Sequence, residues 1–341
     1  MSNRKAGRET TPQGRKTIEY LGKYPDMPTR TLARLLKKDH PKLFTSVESA
    51  RSLVRVYRGA NGKGCRDNLT IRDFILPPPS EQNPFSMPEA WQDGPEYKPY
   101  ILGPTYDRIG LLSDVHIPFH DVDALTVAVD HLKEQEINCL ILNGDFADCY
   151  SLSRWERDPE LRDFPKEREA VRHGLMALRN TFGDDVKFIY KQGNHEERYE
   201  KHLSDKAPDL LGLTEFRLDV LFGLCDMGID WVATKRMIRC GKLDIAHGHE
   251  WGGGGGINPA RWVFLRALSC VLIGHFHRRS EHEEPSLRDR LIASWSTGCL
   301  CNLHPRYRPQ NKWWHGFAYI ERQNEDDFEV HNHKIVNGRV V

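Results

Sequence analysis

Leu140-Ile141-Leu142-Asn143-Gly144-Asp145-Phe146-Ala147-Asp148 is a short apolar run that stops on a glycine and two carboxylates. An apolar run bounded by a turn former reads as a buried strand. Open α/β sheets gather ligands just outside the carboxyl ends of their strands. The same pattern recurs on both sides. Gly110-Leu111-Leu112-Ser113 leads to Asp114-Val115-His116, and Phe188-Ile189-Tyr190-Lys191-Gln192 leads to Gly193-Asn194-His195-Glu196. Leu243-Asp244-Ile245-Ala246 leads to His247-Gly248-His249, and Val271-Leu272-Ile273 leads to Gly274-His275-Phe276-His277. Five strand ends that carry Asp, Asn and His are expected to converge on one crevice.

Residues i and i+2 of a strand share a face, so Asp114 with His116, and His275 with His277, are expected to grip one region from one strand. The glycines at 144, 193, 248 and 274 are expected to let the backbone turn or approach closely. Carboxylate, imidazole and amide oxygen together suit Mn²⁺, Fe or Zn²⁺ better than Ca²⁺ or Mg²⁺ alone. Taken singly, each motif is common; Gly-Asn-His-Glu alone fits a turn, and a lone histidine fits a core or a surface. Five of them in this order, each behind an apolar run, point to a metal centre.

Beyond these motifs, apolar runs alternate with helical stretches from Arg108 onward: Ile109–Leu112, Leu125–Leu132, Cys139–Leu142, Glu167–Leu178 and Val186–Tyr190. That alternation is an α/β signature. Further strands are expected at Cys270–Ile273, Leu291–Ser294 and Phe317–Ile320, with a hairpin at Asn337-Gly338. The Gly252–Gly256 run lacks the Gly-Lys-Ser/Thr ending of a P-loop and reads as a mobile loop beside the site. Asn258-Pro259 is a cap and first residue for a helix.

The chain has 341 residues, 39% of them apolar, enough for one large domain with a smaller appendage. Net charge is +1, but it is unevenly spread. Residues 1–72 hold 17 Lys/Arg against 6 Asp/Glu, a net of +11, and residues 73–341 carry a net of −10. A basic head on an acidic body suits an anionic partner, nucleic acid first. No apolar run approaches the ~20 residues of a membrane helix, and mean hydropathy is −0.61. The first residues lack the apolar core of a signal peptide. Eight cysteines without a Cys-x-x-Cys pair argue against a disulfide scaffold or a cysteine zinc site. A cytoplasmic protein without membrane or obligate protein partner is expected.

Residues 1–72 read as three short helices. The first spans about Pro12 to Tyr24, capped by Thr10 or Thr11. The second runs from Pro28-Thr29 to about His40-Pro41. The third starts at the Ser46 cap and carries Val47, Ala50, Leu53, Val54 and Tyr57 on one stripe. Arg51, Arg55 and Arg58 share a face of that helix and are candidates to lie along phosphates, as in helix-turn-helix modules. An ordinary solvated face is the competing reading. Residues 73–104 form a Pro-rich linker, with Phe85, Trp91 and Tyr97 as anchors onto residues 105–341.

From Ile109 to His277 the five motifs resemble the calcineurin-like metallophosphoesterase superfamily. The resemblance implies an α/β (α+β) fold, a four-layer αββα sandwich, here preceded by a small all-α helical domain. It implies two divalent metal ions: Mn²⁺ first, with Fe, Zn²⁺, Ni²⁺ or Mg²⁺ as alternatives. By motif position, Asp114, His116 and His277 would hold one ion. Asn194, His247 and His275 would hold the other, and Asp145 would bridge both. His195 would face the leaving-group oxygen, oriented by Asp148, and Glu196 would sit behind the ligands. Two cations about 3.5–4 Å apart would share a hydroxide that attacks phosphorus in line. His249 would contact substrate phosphate or support His247, and Arg198 would reach a phosphate or stay solvated.

Phosphoprotein phosphatases of this superfamily place Arg-Gly after the second aspartate of Gly-Asp-x-x-Asp, whereas this chain has Cys149-Tyr150. With the basic head, that favours a phosphodiesterase or nuclease acting on DNA. A phosphomonoesterase on small molecules or Ser/Thr phosphoproteins is the alternative, and a non-catalytic DNA-binding regulator is a third. Two aromatic- and arginine-dotted segments invite stacked bases and phosphates. One holds Tyr150, Arg154, Trp155, Arg157 and Arg162, and the other runs from Arg306 to His315. Inward-packed surface loops are the equal alternative.

Overall fold

Alternation along the strand Arg108–Leu112 (β2) sends Ile109 and Leu111 to one side and Leu112 to the other. That division organises the whole sandwich. The computed structural model describes residues 11–58, 84, 98–154, 158–233, 235–285, 291–324 and 327–341. The chain separates into two units, 1–93 and 94–341.

In the second unit, β2 pairs in parallel with β3 (Cys139–Asn143), which pairs with β4 (Lys187–Lys191), which pairs with β5 (Ile229–Val232). On the other flank, β11 (Gly316–Arg322), β12 (Phe328–Val336) and β13 (Arg339–Val340) add antiparallel strands. A second sheet runs in the order β1 (Tyr100–Ile101), β6 (Ile238–Cys240), β7 (Leu243–Ile245), β8 (Cys270–Ile273), β10 (Leu291–Ser296) and β9 (Ser280–Pro285). Ile109, Leu111, Ile141 and Ile189 of the first sheet meet Ile238, Leu243, Ile245 and Leu272 of the second in one buried layer.

Helices cover both outer faces. Over the first sheet lie α4 (Val122–Glu134), α5 (Phe164–Phe182), α6 (Glu197–Lys206) and α7 (Leu218–Phe222). In α5 the buried positions Glu167, Val171, Leu175 and Leu178 recur at helical spacing. Truncating a core leucine such as Leu175 to alanine costs about 2–5 kcal/mol. Over the second sheet lies α8 (Pro259–Ala267), capped by Asn258 as its sequence predicts, with Val263 against Val271 and Ile273. The layers are therefore αββα.

The hairpin is present, with Asn337 and Gly338 both at positive φ (49° and 71°). The region expected to be linker is not all linker. Tyr100 and Ile101 form an edge strand and Leu102 is buried between the sheets. An edge position tolerates the neighbouring prolines because one side of the strand needs no donors. Phe85, Trp91 and Tyr97 lie outside the described residues.

In the first unit, α1 (Pro12–Lys23), α2 (Thr29–Asp39) and α3 (Val47–Tyr57) pack around Leu21, Leu32, Leu36, Phe44 and Val54. Thr11 caps α1, and Ser46 caps α3 through a reciprocal bond with Ser49. Among the described residues no helix is long and apolar enough to cross a membrane.

Candidate metal centre

The five motifs come from both sheets. Asp114 and His116 follow β2, Asp145 and Asp148 follow β3, and Asn194 and His195 lie between β4 and α6; His247 follows β7, and His275 and His277 follow β8. All lie at strand carboxyl ends, so the crevice opens where the ends of the two sheets meet.

The paired ligands do not use strand pleating, contrary to the sequence expectation. β2 stops at Leu112 and β8 at Ile273. Asp114, His116, His275 and His277 all adopt left-handed backbone (φ 56°, 55°, 67° and 57°), as does Asp145 (φ 51°). Such residues cost about 1–3 kcal/mol each and persist where the surroundings hold them. Here Asp114 Oδ2 accepts from the Ser113 hydroxyl (2.6 Å) and the His275 N–H (2.8 Å), and the His116 N–H donates to the Asp145 carbonyl (2.9 Å). Gly274 is needed for the approach: a Cβ there would overlap Ser113 Oγ and lie 2.6 Å from Asp114 Oδ2.

Side chains meet around Asp145 Oδ2, which lies 3.2 Å from His247 Nε2, 3.8 Å from His195 Nε2 and 3.9 Å from His116 Nε2. On one side, His277 Nε2 is 3.1 Å from Asp114 Oδ1 and 3.2 Å from His116 Nε2. On the other, Asn194 Oδ1 is 3.2 Å from His247 Nε2, and ligand atoms of Asp145, His247 and His275 lie within 4.8 Å of one another.

This set fits two divalent cations. His116 Nδ1 donates to Asp148 Oδ2 (3.0 Å) and His247 Nδ1 to the Asn143 carbonyl (2.8 Å), which turns both Nε2 atoms toward the cluster. Asp114 Oδ1 and His275 Nδ1 are buried without a hydrogen bond. Burial, then the charge of His247, pushes His275 down to about 3, so its ring is neutral. Burial opposes charge on His247 and His277, yet Asp145 and Asp114 lift each to about 10. Concentrated carboxylate charge of this kind attracts cations.

His195 is built differently. Its Nδ1 donates to the Asp148 carbonyl oxygen (2.9 Å), with Asp148 Oδ2 at 3.4 Å, and its Nε2 accepts from Arg198 (2.8 Å). Arg198 thus serves Asp148 and His195. His249 donates to Glu197 Oε1 (2.8 Å) and leans on His247 only through ring contact, with centroids 5.3 Å apart. Glu196 is fully buried behind the ligands. It accepts from the N–H groups of Asp145, Gly193 and Ala147 and from the Tyr190 hydroxyl, at 2.8–3.0 Å.

Three features escape the motif reading. Lys191 Nζ and Glu250 Oε1 form a buried pair at 2.7 Å, and Glu250 also receives the N–H groups of His247 and Gly248. The signal was available, since a lysine ending an apolar strand needs a buried partner. Cys301 Sγ lies 3.9 Å from His277 Nδ1. Trp313 packs edge-on to His277, with centroids 4.2 Å apart.

The helical unit places Arg51 beside Glu48 (3.1 Å) and leaves Arg55 exposed. Arg58 bonds to Thr29 Oγ1 and to the carbonyls of Pro25 and Met27. Arg154 and Arg162 are exposed, and Trp155 and Arg157 lie outside the described residues.

No family model matches the chain. The gene 54 protein of Mycobacterium phage L5 is 27% identical over 184 residues, covering 50% of this chain and 69% of that protein, and the gene 54 protein of Mycobacterium phage D29 matches over the same extent. Among solved structures, Vps29 of Entamoeba histolytica aligns over 69% of this chain and 96% of its own (TM-score 0.39, 13% identity). A dimetal phosphatase from Danio rerio aligns over 70% and 98% (TM-score 0.34, 12% identity), and the nuclease MPE of Pseudomonas putida over 66% and 86% (TM-score 0.29, 15% identity). The five motifs stand in order at the ends of β2, β3, β4, β7 and β8 of an αββα sandwich, the arrangement that the resemblance to the calcineurin-like metallophosphoesterase superfamily implies.

Proposed function

We propose that the protein is a two-metal phosphoesterase, and specifically a phosphodiesterase that cleaves nucleic acid, DNA first. One observation carries the reading: imidazole groups from four other strand ends, those of His116, His195, His247 and His275, close on the Asp145 carboxylate. Asp114, His116 and His277 would hold one cation, and Asn194, His247 and His275 the other; Mn²⁺ suits this donor mixture. Bound divalent cations supply charge for the phosphoryl oxygens and acidify water at the site. Asp145 faces both groups of ligands. Asp148 fixes the His195 ring. Once Arg198 turns from Nε2 to the phosphate, Nε2 takes a proton from solvent and the imidazolium passes it to the departing oxygen.

The basic helical unit supports delivery to a polyanion, through Arg51 and Arg55 rather than Arg58, which is committed to its own carbonyls. A phosphomonoesterase is the second reading, favoured by the Arg198 guanidinium at the phosphate side of His195. Hydrolysis of a bis-nitrophenyl phosphate and a nitrophenyl phosphate with Mn²⁺ separates the two. The diester should turn over faster; a strong preference for the monoester overturns the diesterase reading.

A further inference from the structure

Two cavities flank the metal centre, and Trp313 lines both. The first, of about 510 Å³, reaches His116 and Asp148 and is walled by Phe119, Tyr150, Tyr307 and Trp313. His116 and Asp148, which line it, both touch His195 (ring centroids 4.3 Å apart for the two histidines, Asp148 Oδ2 3.4 Å from His195 Nδ1), so it adjoins the leaving-group side under the function proposed above. Two segments far apart in sequence build it. Arg306 Nη1 bonds to Asp158 Oδ2 (2.8 Å), and the Asp158 N–H donates to the Tyr150 hydroxyl (2.7 Å). The second cavity, of about 560 Å³, lies beside His275 and is lined by Arg278, Arg308 and Lys312. Among the described residues no carboxylate pairs with these three cations.

An aromatic slot on one side and an anion-seeking slot on the other match the alternation of base and phosphate along a strand. We propose that a single-stranded nucleic acid runs across the metal centre, the base of the leaving nucleotide stacking in the aromatic cavity and the phosphate beyond the scissile bond held by Arg278, Arg308 and Lys312. Trp313 is the partition between the two subsites, fixed by its contact with His277 and by its N–H to Asn311 Oδ1 (2.8 Å). This inference rests on the diesterase reading and names its substrate class.

The test is equilibrium binding of a fluorescent DNA tetranucleotide to the full chain in chelator, beside the same tetranucleotide with one base removed at each position in turn. Loss of one particular base should weaken binding about tenfold. Tyr307→Ala should weaken the intact strand by a similar factor and leave that abasic strand unchanged, while Tyr307→Phe should bind like the parent. Arg308→Ala should weaken both strands and flatten the salt dependence. If every abasic strand binds like the intact one, or Tyr307→Ala weakens both equally, the base subsite is overturned. Hydrolysis of bis-nitrophenyl phosphate by the parent protein keeps the two readings apart. Turnover without base dependence removes only this inference, and no turnover removes the diesterase.

Discussion

Arg198 donates from Nη2 to Nε2 of His195 across 2.8 Å while its Nη1 reaches the Asp148 carbonyl oxygen at 2.9 Å. The guanidinium therefore sits on the nitrogen that would face a leaving group under the proposed function. A phosphate entering the site offers it a stronger, charge-assisted partner. Such a bond is worth about 1.5–3 kcal/mol, roughly 10–150-fold in kcat/KM. Arg198→Ala should lose that factor on nitrophenyl phosphate, a dianion, and less on the bis-nitrophenyl monoanion. Equal losses on both would show that Arg198 only holds the Asp148 loop.

His195→Ala should lower kcat on a DNA strand by roughly 10²–10⁴, the usual worth of a general acid. The loss should be much smaller with nitrophenolate, which departs without a proton. Metal content by elemental analysis should be unchanged. His195 shares a cluster with His116 and Asp145, so a variant that loses metal would place it among the ligands instead.

What the sequence showed was the order of the parts, because each motif sits directly behind an apolar run. The Asn258 cap, the Ser46 cap and the Asn337-Gly338 hairpin were legible for the same reason: their signals are local. The local geometry of Asp114-Val115-His116 was not. Alternation holds only within a strand, and these residues lie past its end in left-handed turns. Strands β1, β6 and β9 carried no legible signal. β1 and β6 span two and three residues, and β9, Ser280–Pro285, is polar and mostly exposed. The face occupied by Arg58 followed from helical spacing, but its partners come from the α1–α2 connection, which no spacing rule reaches. Lys191, a lysine ending an apolar strand, announced a buried partner, but naming Glu250, which lies past β7 of the other sheet, needs both sheets to be placed first.

Gly274→Ala tests how tightly the two sheets' loops are locked together. A methyl there meets Ser113 Oγ and Asp114 Oδ2, both already committed to hydrogen bonds. Overpacking of this kind costs about 1–3 kcal/mol. Chemical denaturation should show that loss, and Mn²⁺ stoichiometry should fall because Asp114 must move. Parent-like stability with two ions bound would mean that the loop yields without cost.

Glu167 gives a pH signature separate from the metal ligands. It is buried and accepts from the Tyr150 N–H (3.0 Å), bracing the segment after Asp148. Burial first, with Asp148 adding, raises its carboxyl to about 7 from 4.5. Below about pH 4.5 the group is protonated in both states and costs nothing. Between there and pH 7 the unfolded chain releases its proton first, so stability falls as pH rises. The full cost, at most about 3 kcal/mol, is reached above pH 7. Glu167→Gln keeps an acceptor for Tyr150 and should be the more stable protein at pH 8, with no difference near pH 4.5. Parallel melting curves for the two proteins across that range would remove the shift.

Arg55 near the end of α3 and Arg58, the residue that closes it, should separate binding from folding. Arg58 bonds to Thr29 Oγ1 (3.0 Å) and the carbonyls of Pro25 (2.8 Å) and Met27 (2.6 Å), tying α3 to the α1–α2 connection. Those carbonyls lose a charged donor in Arg58→Ala, a loss of about 2–4 kcal/mol to the helical unit. Arg55 is exposed, and its removal should change stability by no more than about 0.5 kcal/mol. If α3 lies along phosphates, Arg55→Ala should weaken DNA binding and lower the slope of log affinity against log salt by about one. Fluorescence anisotropy across a salt series, with a melting curve for each variant, measures both. An unchanged slope in Arg55→Ala would take the third helix off the DNA and leave the charge of the unit to act through another face.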